Sequence, residues 1–169
     1  MCFSKCQSKV EIKTINSQQT LDDMKTQIHF FSEDTDYRLK QKTVLRKWIS
    51  ETIKHEEHRV GELNFIFCSD EYLLSINQEY LNHDTFTDII TFDNSDTAKV
   101  ISGDIFISIP RVKENASNLG VEEPEELRRV IIHGVLHLAG YFDKSKTDKA
   151  LMTEKEDYYL SRFHQITID

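Results

Sequence analysis

"VIIHGVLHLAGYF", residues 130–142, is an oily run interrupted by two histidines four positions apart, His133 and His137. Pro124 ahead of it and Gly140 behind it predict a helix from 124 to 138 or 139, because proline suits a first turn and glycine a left-handed stop. Val130, Ile131, Ile132, Val135, Leu136 and Leu138 surround the histidines, so this helix reads as the centre of the fold. Residues i and i+4 of a helix share a face, about 5–6 Å apart at Cβ, and can bind one zinc ion together. The plainer reading is two core histidines, each satisfied by a hydrogen bond. Asp143, three residues past the glycine, offers the carboxylate that would close a facial set of His133, His137 and Asp143. That donor set also matches non-haem iron sites.

Gly134 occupies the position where the His-Glu-x-x-His proteases carry their general base, which argues against peptide hydrolysis by that pair. Glycine within a helix costs about 1 kcal/mol relative to alanine. Something should therefore approach its backbone: either a tightly packed sheet or a substrate beside the metal.

Working outward, "IHFF" (28–31) is a short strand candidate, followed by a long helix over 36–57 with Leu45, Trp48, Ile49, Thr52 and Ile53 on one face. "ELNFIFCS" (62–69) reads as a strand, and Ser69 caps a helix beginning "DEYLLS". After the polar loop "NHDTFT" come strands at 88–92 and 100–109, then helices at 110–119 and 124–138, and a last amphipathic helix from Lys146. This order predicts an α+β domain: a four-stranded mixed sheet packed by about five helices, with the histidine helix central. Residues 1–23 lack sustained apolar periodicity and read as a poorly ordered extension; 24–169 read as one domain.

The chain has 169 residues, a net charge of −8 and three cysteines in no regular framework. That excludes a disulfide-stapled secreted domain, and no apolar run is long enough to span a bilayer. The start "MCFSKCQSKV" has no apolar core of a secretory signal, so a cytoplasmic protein is expected. Cys2 and Cys6 have helical spacing but no second pair to complete a zinc set. Residues 38–59 hold seven Lys or Arg against three Glu, so the acidic total does not exclude RNA. A solvated helix face explains the same charges.

"HGVLHLAGYFD" resembles the His-Gly-x-Leu-His-Leu-x-Gly-Tyr signature of the YbeY family, metal-dependent single-strand-specific endoribonucleases of bacterial rRNA maturation. "INQEYLNHDTFTDIITFD" (76–93), "GDIFIS" (103–108), and Met152 with Glu156 are similar to further family segments, in the same order. The resemblance implies one zinc per chain held by His133, His137 and Asp143, the last standing where the family has a third histidine. It implies single-stranded RNA as substrate: the 3′ end of small-subunit (16S) rRNA, with ribosome quality control as a second role. The ribosome or its small subunit is then the partner, and water on the metal the reacting group. Asp88 and Asp104, in the matching "TD" and "GD" segments, are candidates for supporting or base roles. On the plainer reading Asp88 turns or caps the chain and Asp104 is a polar residue of an edge strand.

Two departures stand out. The family's arginine after the "LN..Y" tyrosine aligns with Leu81, and its "GHS"-like loop reads "GVE" at 120–122, so no phosphate-clamping residue is assigned. Phe86, in the loop before Asp88, either stacks on a base or plugs the core. The competing reading is a ribosome-associated assembly factor with a structural zinc and no nuclease activity.

Overall fold

The computed structural model describes residues 2–4, 27–81 and 83–166. In chain order the elements are β1 (Cys2–Ser4), β2 (Ile28–Ser32), α1 (Lys42–His55), β3 (Arg59–Cys68), α2 (Asp70–Leu81), β4 (Ile89–Asp93), β5 (Val100–Ser108), α3 (Ile109–Leu119), α4 (Glu123–Leu138) and α5 (Lys146–Ile166). The four expected strands form one mixed sheet with five helices around it, and β1 adds a short fifth strand in the order β1-β4-β5-β3-β2. Among the described residues only β4 and β5 pair antiparallel; β2–β3, β3–β5 and β1–β4 are parallel. Most of the expected extension lies outside the described residues, Cys2–Ser4 excepted.

Strand alternation divides the apolar residues between two faces. Leu63, Phe65 and Phe67 of β3, with Ile89 of β4 and Ile105 and Ile107 of β5, join the main core beneath α1, α4 and α5. Ile66, Cys68, Ile90, Phe92 and Phe106 face the other way and are covered by Leu73 and Ile76 of α2. Helix α1 starts at Lys42 and not at 36, because its apolar periodicity begins only at Leu45. Residues 33–41 form a connection ending in Gln41 at φ 56, and Ser32 Oγ donates to the Tyr37 carbonyl at 2.7 Å.

Helix α4 is buried on most of its circumference, including Leu127, Val130, Ile131, Ile132, Val135, Leu136 and His137. Acidic residues Glu123, Glu125 and Glu126 fill its first turn, where they complement the helix dipole. Gly134 answers its own question. A Cβ there would lie 2.7 Å from Ile89 Cδ1 and 3.0 Å from Ile105 Cγ2, so it is the sheet that approaches the helix backbone. The expectation of room for a substrate at this position is not met, since β4 and β5 fill it.

Gly103 of β5 performs the complementary service one helical turn further on. A Cβ at Gly103 would overlap the Phe92 carbonyl oxygen and come within 3.0 Å of Leu138 Cδ1. β4 is hydrogen-bonded to β5 at this point and cannot retreat. Gly103→Ala is therefore expected to lower stability by about 1–3 kcal/mol, the usual range for overpacking, read as a fall in the denaturant midpoint. An unchanged midpoint would show that α4 and the sheet can shift apart freely.

Candidate metal centre

His133 and His137 sit on one face of α4 with ring centroids 4.4 Å apart and planes at 87°. The helix then ends in a Schellman turn. The Tyr141 amide donates to the Leu136 carbonyl at 3.0 Å, the Gly140 amide donates to the His137 carbonyl at 3.0 Å, and Gly140 takes φ 96. This folds Tyr141 back beneath the helix end, where its carbonyl accepts from His137 Nδ1 at 3.0 Å. His133 Nδ1 lies 2.7 Å from Glu156 Oε1 on α5 and donates to it.

Since a carbonyl and a carboxylate only accept, each Nδ1 carries the hydrogen, which in a neutral imidazole leaves the lone pair on Nε2. The two Nε2 atoms face each other at 2.9 Å. Asp143 Oδ2 closes the triangle at 3.7 Å from His137 Nε2 and 3.9 Å from His133 Nε2. One donor atom from each of the three residues lies within 4.8 Å of the others. Burial, together with the neighbouring His133, pushes His137 down to about 4, so its imidazole is neutral at neutral pH. Two lone pairs and a carboxylate converging on one point repel one another unless a cation lies between them. Two imidazoles with one carboxylate are a competent donor set for a zinc-like divalent ion with positions to spare.

Comparison with known proteins follows the same path along the chain. The family model for endoribonuclease YbeY matches residues 27–164, which include every element from β2 to α4 and α5 up to its last two residues. The chain belongs to the YbeY family. It is 53% identical over 134 residues to an endoribonuclease YbeY of Cytophaga hutchinsonii, covering 79% of this chain and 94% of that one. A second such relative, from Flavobacterium psychrophilum, is 52% identical over 134 residues, covering 79% and 95%. The solution structure of TM1509 from Thermotoga maritima superposes with a TM-score of 0.58 at 28% identity, covering 80% of this chain and 88% of that one.

In this YbeY protein the residues that hold the histidines were not all visible beforehand. Glu156 matched a family segment but had no assigned role. It is buried, orients His133, and is held in turn by Arg129 Nη1 at 3.3 Å, which also reaches Asp157 Oδ1 at 3.1 Å. Glu56, at the C-terminal end of α1, went unnoticed. It accepts from Tyr141 Oη at 2.7 Å and from Lys155 Nζ at 2.9 Å, and from the Tyr159 hydroxyl. Lys155 also lies 5.1 Å from the centre of the Tyr141 ring. Tyr141 thus holds His137 with its backbone and is itself pinned to α1 and α5 through its side chain.

The remaining expected residues are engaged elsewhere. Asp88 Oδ2 accepts from Asn115 Nδ2 at 3.1 Å, and its carbonyl accepts from the Ser108 amide at 2.9 Å. Asp104 accepts from Asn64 Nδ2 at 2.8 Å and Asn94 Nδ2 at 2.9 Å. The edge-strand placement of Asp104 is corrected, because β5 lies inside the sheet between β4 and β3. Among the described residues neither aspartate bonds to the histidine pair. Leu81 packs half-buried against the α2-side core beside Tyr72 and Tyr80. Phe86 is exposed and lies under the Arg111 guanidinium at 4.8 Å, so it does not plug the core.

Burial pushes the Glu56 carboxyl up, but hydrogen bonds from Tyr159, Lys155 and Tyr141 outweigh it and hold the group below its ordinary 4.5. A carboxyl with a depressed folded pKa stabilises the fold above its unfolded value, and that contribution is lost as pH falls through the folded one. Glu56→Gln is expected to cost about 1–3 kcal/mol at neutral pH. The gap from wild type should narrow as the pH drops below 4.5. Denaturation midpoints across that range check it; a gap independent of pH would contradict the ionised role.

Proposed function

We propose that this YbeY protein is a zinc-dependent endoribonuclease cutting single-stranded RNA, with one zinc ion per chain at His133, His137 and Asp143. Its task is maturation of the 3′ end of small-subunit rRNA, with ribosome quality control beside it, on cytoplasmic ribosomes. The observation that carries the reading is the convergence of two Nε2 atoms and a carboxylate, each imidazole backed by an acceptor at its Nδ1. The named relatives, endoribonucleases over the same span, supply the reaction class.

The chain's own parts in this chemistry are positional and electrostatic. Glu156 fixes the tautomer of His133 and raises its basicity as a ligand; the Tyr141 carbonyl does the same for His137. Asp143 brings one negative charge, leaving the centre less positive than three histidines would. When bound, a divalent ion supplies Lewis acidity toward a phosphoryl oxygen and toward water. No glutamate on α4 need act as base, consistent with Gly134 pressed against the sheet.

A second reading keeps the zinc structural and makes the protein a ribosome assembly factor; the packed Leu81, unable to grip phosphate, favours it. One experiment separates the two. Purified protein is incubated with single-stranded RNA, with and without chelator, beside His137→Ala. The nuclease reading expects cleavage that both perturbations abolish and zinc restores to wild type alone. Cleavage indifferent to chelator and to the substitution would overturn it. A folded, zinc-loaded protein that cuts nothing would support the assembly factor.

A further inference from the structure

The loop from Gly140 to Ser145 treats its side chains unequally. Tyr141 turns down to Glu56 and Asp143 faces the histidines, while Phe142 between them is 59% exposed. Among the described residues it is the most exposed aromatic of the large hydrophobics. The other two exposed aromatics have partners: Phe86 is covered by Arg111, and Tyr158 packs beside His55 and Tyr159. Phe142 has no ring or cation partner among the described residues. An apolar ring held in water beside a polar centre gives the fold nothing by burial.

The segment that follows is basic. Lys144, Lys146 and Lys149 are all exposed, and among the described residues none has a carboxylate partner. The acids nearby are already committed. Asp143 is aimed at the histidines, and Asp148 accepts from the Ser145 amide at 3.1 Å while its own amide donates to Ser145 Oγ at 3.0 Å. In a chain of net charge −8, three unpaired lysines beside the candidate centre run against the general balance. Of the basic residues at 38–59, Arg46 is turned to the fold and the other six are exposed. Arg46 Nε donates to the Ile28 carbonyl at 3.1 Å, with the guanidinium 5.5 Å from the Phe30 ring centre.

We propose that Phe142 is a base-stacking platform for single-stranded RNA, and that Lys144, Lys146 and Lys149 contact its phosphates as the strand enters the metal centre. An exposed aromatic next to unpaired cations is the combination that binds single strands without sequence preference. Consecutive Cα atoms are about 3.8 Å apart, so a base on Phe142 belongs to a nucleotide flanking the phosphate presented to Asp143 and the histidines. The same ring discriminates against duplex. A paired base already has both faces stacked in its helix and offers none to Phe142.

The inference rests on the endoribonuclease reading and is tested by binding, apart from turnover. Zinc-loaded wild type, Phe142→Ala, Phe142→Leu, Phe142→Trp and a Lys144→Gln/Lys146→Gln/Lys149→Gln triple variant are titrated with a short fluorescent single-stranded RNA. Metal content and thermal melting are recorded for each. Phe142→Ala should weaken binding roughly 5- to 150-fold, the worth of one base–aromatic stack. Phe142→Trp should retain affinity, and Phe142→Leu should resemble alanine. The triple variant should flatten the slope of log affinity against log salt by about 2. Zinc content and binding of duplex RNA should not change with residue 142. Equal affinity of Phe142→Ala and wild type, or full rescue by leucine, would overturn the stacking role. An unaltered salt slope would overturn the lysine contacts. A wild type that binds single strands in this way but never cuts them would leave the platform standing and remove the nuclease reading.

Discussion

Both imidazoles direct their Nδ1 protons away from one another, His133 into Glu156 and His137 into the carbonyl of Tyr141. This constraint organises the rest of the molecule. It sets the two Nε2 atoms face to face at 2.9 Å, a separation that a shared cation would make favourable. It requires α5 to lie across α4 so that a buried carboxylate reaches His133. It also requires the chain to reverse immediately after Leu138, so that a backbone oxygen can return beneath His137. The Schellman turn at Gly140 performs the reversal, and the same turn delivers Asp143 to the open side of the pair.

Behind that arrangement stands a second layer that stops the loop from drifting. Tyr141 is held by Glu56 from α1, and Glu56 by Tyr159 and Lys155 from α5. A carboxylate at a helix C-terminus works against the helix dipole, so this placement is not one that α1 would choose for its own stability. Arg129 ties Glu156 back to α4. Beneath the helix, Gly134 and Gly103 let α4 settle onto β4 and β5 without an intervening methyl group. The centre is therefore set against a rigid sheet on one side and a polar brace on the other.

Much of this was legible in the chain because it is local. Pro124, the apolar flanks and Gly140 marked α4 to within about a residue, and the i, i+4 spacing with Asp143 brought out all three candidate ligands. The long-range parts were not legible. Nothing near Glu56 announces Tyr141, since their meeting depends on how α1 packs on α5. The insertion of β5 between β3 and β4 likewise has no signature in spacing, and it moved Asp104 from an expected edge to the interior. The start of α1 is not legible either, because Tyr37 and Leu39 pack on the core from the connection and blur the boundary between loop and helix. The family resemblance supplied the reaction class, and the hydrogen-bond network explains why these particular residues surround the histidines.

The most direct test of the account is the zinc stoichiometry of the intact protein by native mass spectrometry, for wild type and for Asp143→Ala. A single centre built from His133, His137 and Asp143 predicts one zinc per wild-type chain, and loss of stoichiometric zinc from a variant that still folds. A folded Asp143→Ala protein that keeps one zinc as tightly as wild type would contradict it, leaving Asp143 a turn residue and the centre incomplete.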